Sequence, residues 1–244
     1  MKKKIPVLDR HLQICQKKIG IRFKNPKHLA AALTHTSMFN QNKMKGVPAF
    51  ERLEFFGDAV LNLAICEKIF WTFPNANEGL LSRFRSTLVS KKILCLIAKK
   101  LSIHKFVIMT PLENENKLHL DSKLFSDVLE ALIGAIYVDR GLKDARAFVW
   151  KHWKPYFNEK KIVKLDPNPK STLQEVVQKI FHVLPVYQTS PAKIGFSAKV
   201  SIGRKFSAKG TGISKQNAEA SAAEALLKKL IARKTYTSFF KKAK

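Results

Sequence analysis

Two short stretches carry carboxylates where an ordinary helix would carry none. In Glu51-Arg52-Leu53-Glu54-Phe55-Phe56-Gly57-Asp58 the three acids fall within roughly a 60° arc of a helix, which turns about 100° per residue. Around them stand Leu53, Phe55, Phe56, Val60, Leu61 and Leu63, and a helix apolar on most sides is normally buried. In the second stretch Asp127 and Glu130, at i and i+3, share a face among Val128, Leu129, Leu132, Ile133 and Ile136. Burying unpaired carboxylates is costly, and acids at i and i+4 repel one another. Brought together, Glu54, Asp58, Asp127 and Glu130 would balance the charge of two divalent ions. Ligation by oxygen alone selects Mg²⁺ or Mn²⁺ over zinc.

The rest of the composition says what such a centre would act on. The 244 residues contain 45 Lys and Arg against 18 Asp and Glu, a formal charge of +27. Such an excess points to a polyanion. No apolar run approaches the roughly 18 residues needed to cross a bilayer. Met1-Lys2-Lys3-Lys4 is followed by Ile5-Pro6-Val7-Leu8 and at once by Asp9-Arg10, so there is no secretory apolar core. Membrane partners lose support, and nucleic acid becomes the expected one. Cys15, Cys66 and Cys95 lie far apart among apolar residues without zinc spacing, as buried free thiols of a cytoplasmic protein would. A metal-dependent phosphodiester hydrolysis fits both the acids and the charge.

The elements that must position the acids are helical. Residues 7–19 form an amphipathic pattern closed by Gly20, and Pro26 opens a second helix to Leu33. Residues 39–48 read as a loop. The acidic helix runs from about Ala49 to Phe73, where Pro74-Asn75-Ala76-Asn77 ends it. A long helix is expected from Glu78 to about Leu101, no assigned element over 104–120, the second acidic helix from near Ser122 to Asp139, and a last helix from Leu142 to Phe157. Gly57 and Gly134 lie inside the acidic helices, at a cost of about 1 kcal/mol each relative to Ala. Close approach of another helix is one reason to keep them. Residues 158–167, rich in lysine, read as a linker. Beyond it come a helix over 171–181, strands at 186–190, 196–202 and 205–211, and a final helix capped by Ser214. This is a small α-β-β-β-α domain, followed by a basic tail at 235–244. The expected division is an all-α domain at 1–157, the linker, the α+β domain at 168–234 and the tail.

Read together, these runs resemble a known family. Glu51–Ala59 resembles the nine-residue signature of the ribonuclease III family, and Asp127–Asp139 resembles its second acidic block. Glu78–Ser90 is similar to the segment between them. Lys170–Glu175, Phe196–Val200 and Ala208–Leu227 are similar to the double-stranded-RNA-binding domain that follows the nuclease in bacterial members. The resemblance implies metal ligands at Glu54, Asp58, Asp127 and Glu130, with Asp58 and Glu130 the catalytic pair. Glu51 and Glu78 would be supporting acids at the edge. It implies a homodimer that cuts RNA duplexes by two-metal hydrolysis with Mg²⁺, Mn²⁺ substituting. Products would carry 5′-phosphate and 3′-hydroxyl ends with a two-nucleotide 3′ overhang. Substrates would be ribosomal RNA precursors and other structured transcripts, messenger and transfer RNA among them. Ser171, Gln174 and Glu175 would meet the RNA minor groove, where 2′-hydroxyls mark RNA, and Lys215 would meet phosphates at a helix N-terminus.

Four places in the chain depart from the family pattern. Phe56 replaces a smaller residue of the signature and raises a packing question. Glu113-Asn114-Glu115-Asn116 stand where a Gly-Gly pair and basic run are usual. Ala192-Lys193-Ile194 replaces the His-x-Pro of the RNA-binding loop, and Lys215-Gln216 replaces paired lysines. The last two imply weaker duplex binding. His35 is expected to serve as a hydrogen-bonding structural residue rather than as a general base. Two other readings compete with the enzyme: a duplex-binding regulator that does not cut, and a structural ribosomal protein on the same fold. The complete carboxylate set argues against both.

Overall fold

In a computed structural model the described residues are 6–40, 49–111, 122–166 and 168–232. The acidic helix α4, Ala49–Thr72, follows α1 (Pro6–Ile19), α2 (Pro26–Leu33) and the single turn α3 (Ser37–Asn40). Asn25 caps α2 by accepting from the Lys27 amide, with Pro26 fixing the first turn. Next come α5 (Glu78–Leu88), α6 (Lys91–Leu101), a 3₁₀ turn over Ile103–Phe106, α7 (Ser122–Arg140) and α8 (Leu142–Trp153). The single long helix expected over 78–101 is therefore two. Ser90 adopts an extended conformation that restarts the chain at Lys91, a break with no Pro or Gly to announce it.

Contacts divide the chain into two compact units, Met1–Trp71 with Leu88–Pro155, and Thr72–Thr87 with Tyr156–Lys244. In the first, α7 is the central helix: it packs on α2, α6 and α8. Leu129, Leu132, Ile133 and Ile136 of α7, Leu61 and Ile65 of α4, and Phe148, Val149 and Trp153 of α8 are all buried. The indole N–H of Trp153 donates to the Leu88 carbonyl at 2.9 Å, satisfying the one polar atom of the largest buried side chain. Thr34 forms a parallel bridge with Ile108, which ties part of the unassigned 104–120 stretch to the end of α2. Glu113–Asn116 lie outside the described residues, as do the 41–48 part of the expected loop and the 235–244 tail.

In the second unit, β1 (Val186–Pro191), β2 (Phe196–Ile202) and β3 (Phe206–Gly212) form an antiparallel sheet in the order β1-β2-β3. Two helices, α10 (Pro169–Phe181) and α11 (Lys215–Ala232), flank it in sequence. Ala198, Val200 and Ile202 of β2 alternate inward onto Leu173, Val176 and Val177 of α10 and Ala222, Leu226 and Leu230 of α11. The helix–three-strand–helix order matches expectation. The linker does not. Residues Glu159–Leu165 form a helix, α9, that packs on α11 and buries Ile162. Its apolar residues Ile162, Val163 and Leu165 stand among lysines, which is why the composition reads as a linker.

Candidate active site

Residues Glu54 on α4 and Asp127 and Glu130 on α7 converge. One carboxylate oxygen from each lies within 4.8 Å of the other two, and all three residues are half-buried. Two helices bring their acids this close because their backbones touch. A Cβ on Gly57 would overlap the Glu130 carbonyl, and one on Gly134 would overlap the Leu53 carbonyl. The close helix approach that the interior glycines implied is therefore present, and it sits one residue from Phe56 and directly against Glu130.

The electrostatics follow from this crowding. Burial first, and then the charge of Asp127, raise the Glu54 carboxyl above its usual range. Glu130 is pushed up to about 8, by burial first and then by Asp58, Asp127 and Glu54. Like charges that cannot escape into water hold protons unless a cation takes their place. Two lysines oppose the repulsion, Lys123 at Glu54 and Lys91 at Glu130. Sequence reading passed over both, although Lys123 stands four residues before Asp127 on the same face of α7 and was legible at that spacing.

The remaining expected acids are placed differently. Asp58 is exposed and lies outside the three-carboxylate group, yet its charge is the second largest influence on Glu130. Its Oδ1 accepts from the Asn62 amide nitrogen at 2.9 Å, one turn along α4. Glu51 is exposed at the start of α4, and its charge is felt at Glu54. Glu78 belongs to the other unit, where it accepts from Ser82 Oγ at 3.0 Å. The His35 Nδ1 lies 3.2 Å from Ser37 Oγ, and its backbone N–H donates to the Ile108 carbonyl at 2.9 Å. Asp139 was missed altogether. Although burial works the other way, the Lys24 and Asn25 amides at 2.7 and 2.8 Å, with His28, hold its carboxyl below the usual range and pin the end of α7 to the start of α2.

Phe56 does not overpack the core. It is partly exposed and meets Tyr137 edge-on at 4.9 Å. Phe55 is 81% exposed and Leu63 52%, against the burial expected of such a helix. With Phe56 and Val138 they give the first unit an apolar surface, and Phe55, Phe56 and Val138 help line a cavity of about 720 Å³ there.

On the second unit Ser171, Gln174 and Glu175 are exposed on one face of α10, at i, i+3 and i+4. The Glu175 carboxylate is met by Arg83 of α5, whose guanidinium also donates to the Thr172 carbonyl at 3.3 Å. Lys215 is exposed as the first residue of α11, and Ser214 caps that helix by accepting from the Asn217 amide at 3.2 Å.

Comparisons with known proteins identify the family. The family description "Ribonuclease-III-like" matches residues 25–156, and "Double-stranded RNA binding motif" matches residues 169–230. A Ribonuclease 3 of Leptospira interrogans is 36% identical over 233 residues, covering 93% of this chain and 94% of its own. One from Wolbachia of Brugia malayi is 37% identical over 217 residues, covering 87% and 88%. The nuclease domain of ribonuclease III from Campylobacter jejuni, in a structure concerned with the region involved in dimer formation, is 35% identical. It has a TM-score of 0.53 and covers 58% of this chain and 94% of that one. The chain belongs to the ribonuclease III family: it is an endoribonuclease with a helical nuclease domain followed by a double-stranded-RNA-binding domain.

Proposed function

We propose that this chain is a Mg²⁺-dependent endoribonuclease that cuts both strands of RNA duplexes, working as a homodimer in the cytoplasm. The observation that carries this reading is the convergence of Glu54, Asp127 and Glu130 from two helices onto one half-buried spot. Three crowded carboxylates, two of them (Glu54 and Glu130) with raised proton affinity, and no nitrogen or sulfur donor among them fit a hard divalent cation. Glu54, Asp127 and Glu130 would hold it, with Asp58 completing the set for a second ion; Mn²⁺ should substitute. Bound there, the cation supplies Lewis-acid polarisation and neutralises charge at the scissile phosphate.

The chain's own residues do the rest. Asn62 orients Asp58, and the Gly57–Gly134 contact fixes the separation of the two acidic helices. Lys91 and Lys123 temper the repulsion among the carboxylates before an ion arrives. Glu51 supports the site from its margin, and Glu78 keeps the supporting part that the family pattern gives it. Ser171, Gln174 and Glu175 read the RNA minor groove, and Lys215 meets phosphate. The functional division is 1–157 for the nuclease and 168–234 for RNA binding. Dimerisation uses the exposed apolar surface of Phe55, Phe56 and Leu63, which a lone subunit leaves in water.

The products are 5′-phosphate and 3′-hydroxyl ends with two-nucleotide 3′ overhangs, and the substrates are structured precursors, ribosomal, messenger and transfer RNA among them. Incubation of a long RNA duplex with the protein and Mg²⁺, followed by mapping of both termini, tests this. Duplex fragments with those ends are expected. Blunt ends, 3′-phosphates, or equal cutting of single strands would contradict the mechanism.

A further inference from the structure

The sheet of the RNA-binding domain has a second face that the reading above leaves idle. Its inner face, with Ala198, Val200, Ile202 and Ala208, is buried. The outward residues form three rows across the strands by register. Val186, Ser201 and Ser207 make one row; Gln188, Lys199 and Lys209 the middle one; Ser190, Ser197 and Thr211 the last. Gln188, Lys199 and Lys209 are all exposed. Every polar side chain in these rows is a cation, a hydroxyl or an amide. None is a carboxylate.

Two features set this face apart from an ordinary solvated surface. Lys199 and Lys209 stand directly opposite each other on paired strands, an arrangement that like charges disfavour. Among the described residues neither is paired with an acid. The domain's helices show the opposite habit: Glu219 is paired with Lys170, Glu224 with Lys228, and Glu175 with Arg83. Arg204 and Lys205 in the β2–β3 turn and Lys193 in the β1–β2 loop extend the positive charge at the two ends of the sheet. Cations interleaved with Ser, Thr and Gln are the set that contacts phosphodiester backbones without reading bases.

We infer that the outer sheet face, centred on Lys199 and Lys209, is a second RNA-backbone surface. It lies on the side of the sheet away from α10 and α11, so it engages a different segment of a folded transcript from the one held by the helical side. The like-charge pair is relieved when a phosphate sits between the two ammonium groups. The hydroxyl rows then supply neutral donors to neighbouring phosphates.

The test uses the full chain without divalent cation, so that RNA is bound and not cut. Affinity for a long, branched RNA duplex is measured across a salt series for wild type, Lys199→Ala/Lys209→Ala, Lys215→Ala, their combination, and Lys17→Ala/Lys18→Ala, which removes equal charge from α1. Both sheet lysines face solvent, so alanine leaves the core intact. The slope of log affinity against log salt should fall by about 1.8 for the sheet pair and about 0.9 for Lys215→Ala, with the two adding in the combination. The α1 pair should change it by less than the sheet pair. A sheet-pair slope equal to that of wild type, or a loss no larger than that of the α1 pair, overturns the inference while leaving the helical-side reading intact. Failure of wild type to bind at all removes both.

Discussion

Gly57 and Gly134 lie backbone to backbone: a Cβ on Gly57 would fall 2.9 Å from the Gly134 nitrogen, and one on Gly134 would fall 3.1 Å from the Gly57 nitrogen. The same contact sets Glu130 against the helix that carries Glu54. Gly57→Ala or Gly134→Ala would gain about 1 kcal/mol of helix propensity. Forcing a methyl into main-chain atoms costs about 1–3 kcal/mol or more and must push α4 from α7. We expect each variant to melt lower and to need more Mg²⁺ for half-maximal cleavage, with the second effect outlasting temperatures at which both proteins are folded. Thermal melts and Mg²⁺ titrations of cleavage, run together, check this. An alanine variant with unaltered Mg²⁺ dependence would show that the helix spacing does not govern the site.

The exposed Phe55 gives a prediction of a different kind. Because it is 81% exposed, Phe55→Asp should change the stability of a single subunit by no more than about 0.5 kcal/mol. In the proposed homodimer the same side chain would be a buried anchor, and its loss should weaken association by about 2 kcal/mol or more. Sedimentation of wild type and variant over a concentration series reads both. A variant as dimeric as wild type would move the interface elsewhere.

His152 gives the acid response of the fold. Burial first, and then Lys151 and Lys100, lower its pKa to about 4 from an ordinary 6.5, and its Nε2 is buried without a hydrogen-bond partner among the described residues. The unfolded chain therefore binds the proton more readily than the folded one. Stability from this group is present above about pH 6.5 and is lost as pH falls toward about 4. His152→Gln, neutral throughout, should lose less melting temperature than wild type on going from neutral to mildly acid buffer. Parallel losses would mean that other groups control the acid transition.

Much of this was legible before any coordinates, because helical spacing is a local property. Glu54 and Asp127 with Glu130 could be assigned to helix faces by counting, and the two interior glycines announced the helix contact that joins them. The α-β-β-β-α order followed from the change of period after residue 170 and from the Ser214 cap. What failed depended on partners distant in sequence. Phe55 and Leu63 read as buried because their neighbours were apolar, yet among the described residues they stay largely exposed. The helix at Glu159–Leu165 was hidden because composition alone does not reveal that this lysine-rich stretch packs on α11 and buries Ile162. Asp139 gave no signal, since its donors are backbone amides more than a hundred residues away.

The central claim is that the acids joining α4 to α7 perform the cutting, separately from RNA binding. Glu130→Gln keeps the shape of the side chain and removes the charge that Glu54, Asp58 and Asp127 crowd. Its duplex affinity without metal should match that of wild type within about twofold. Its Mg²⁺-dependent cleavage of the same duplex should fall by two or more orders of magnitude, about 2.7 kcal/mol or more in barrier. A Glu130→Gln protein that binds and cuts like wild type, or a wild type that cuts equally well without a divalent cation, would contradict the account.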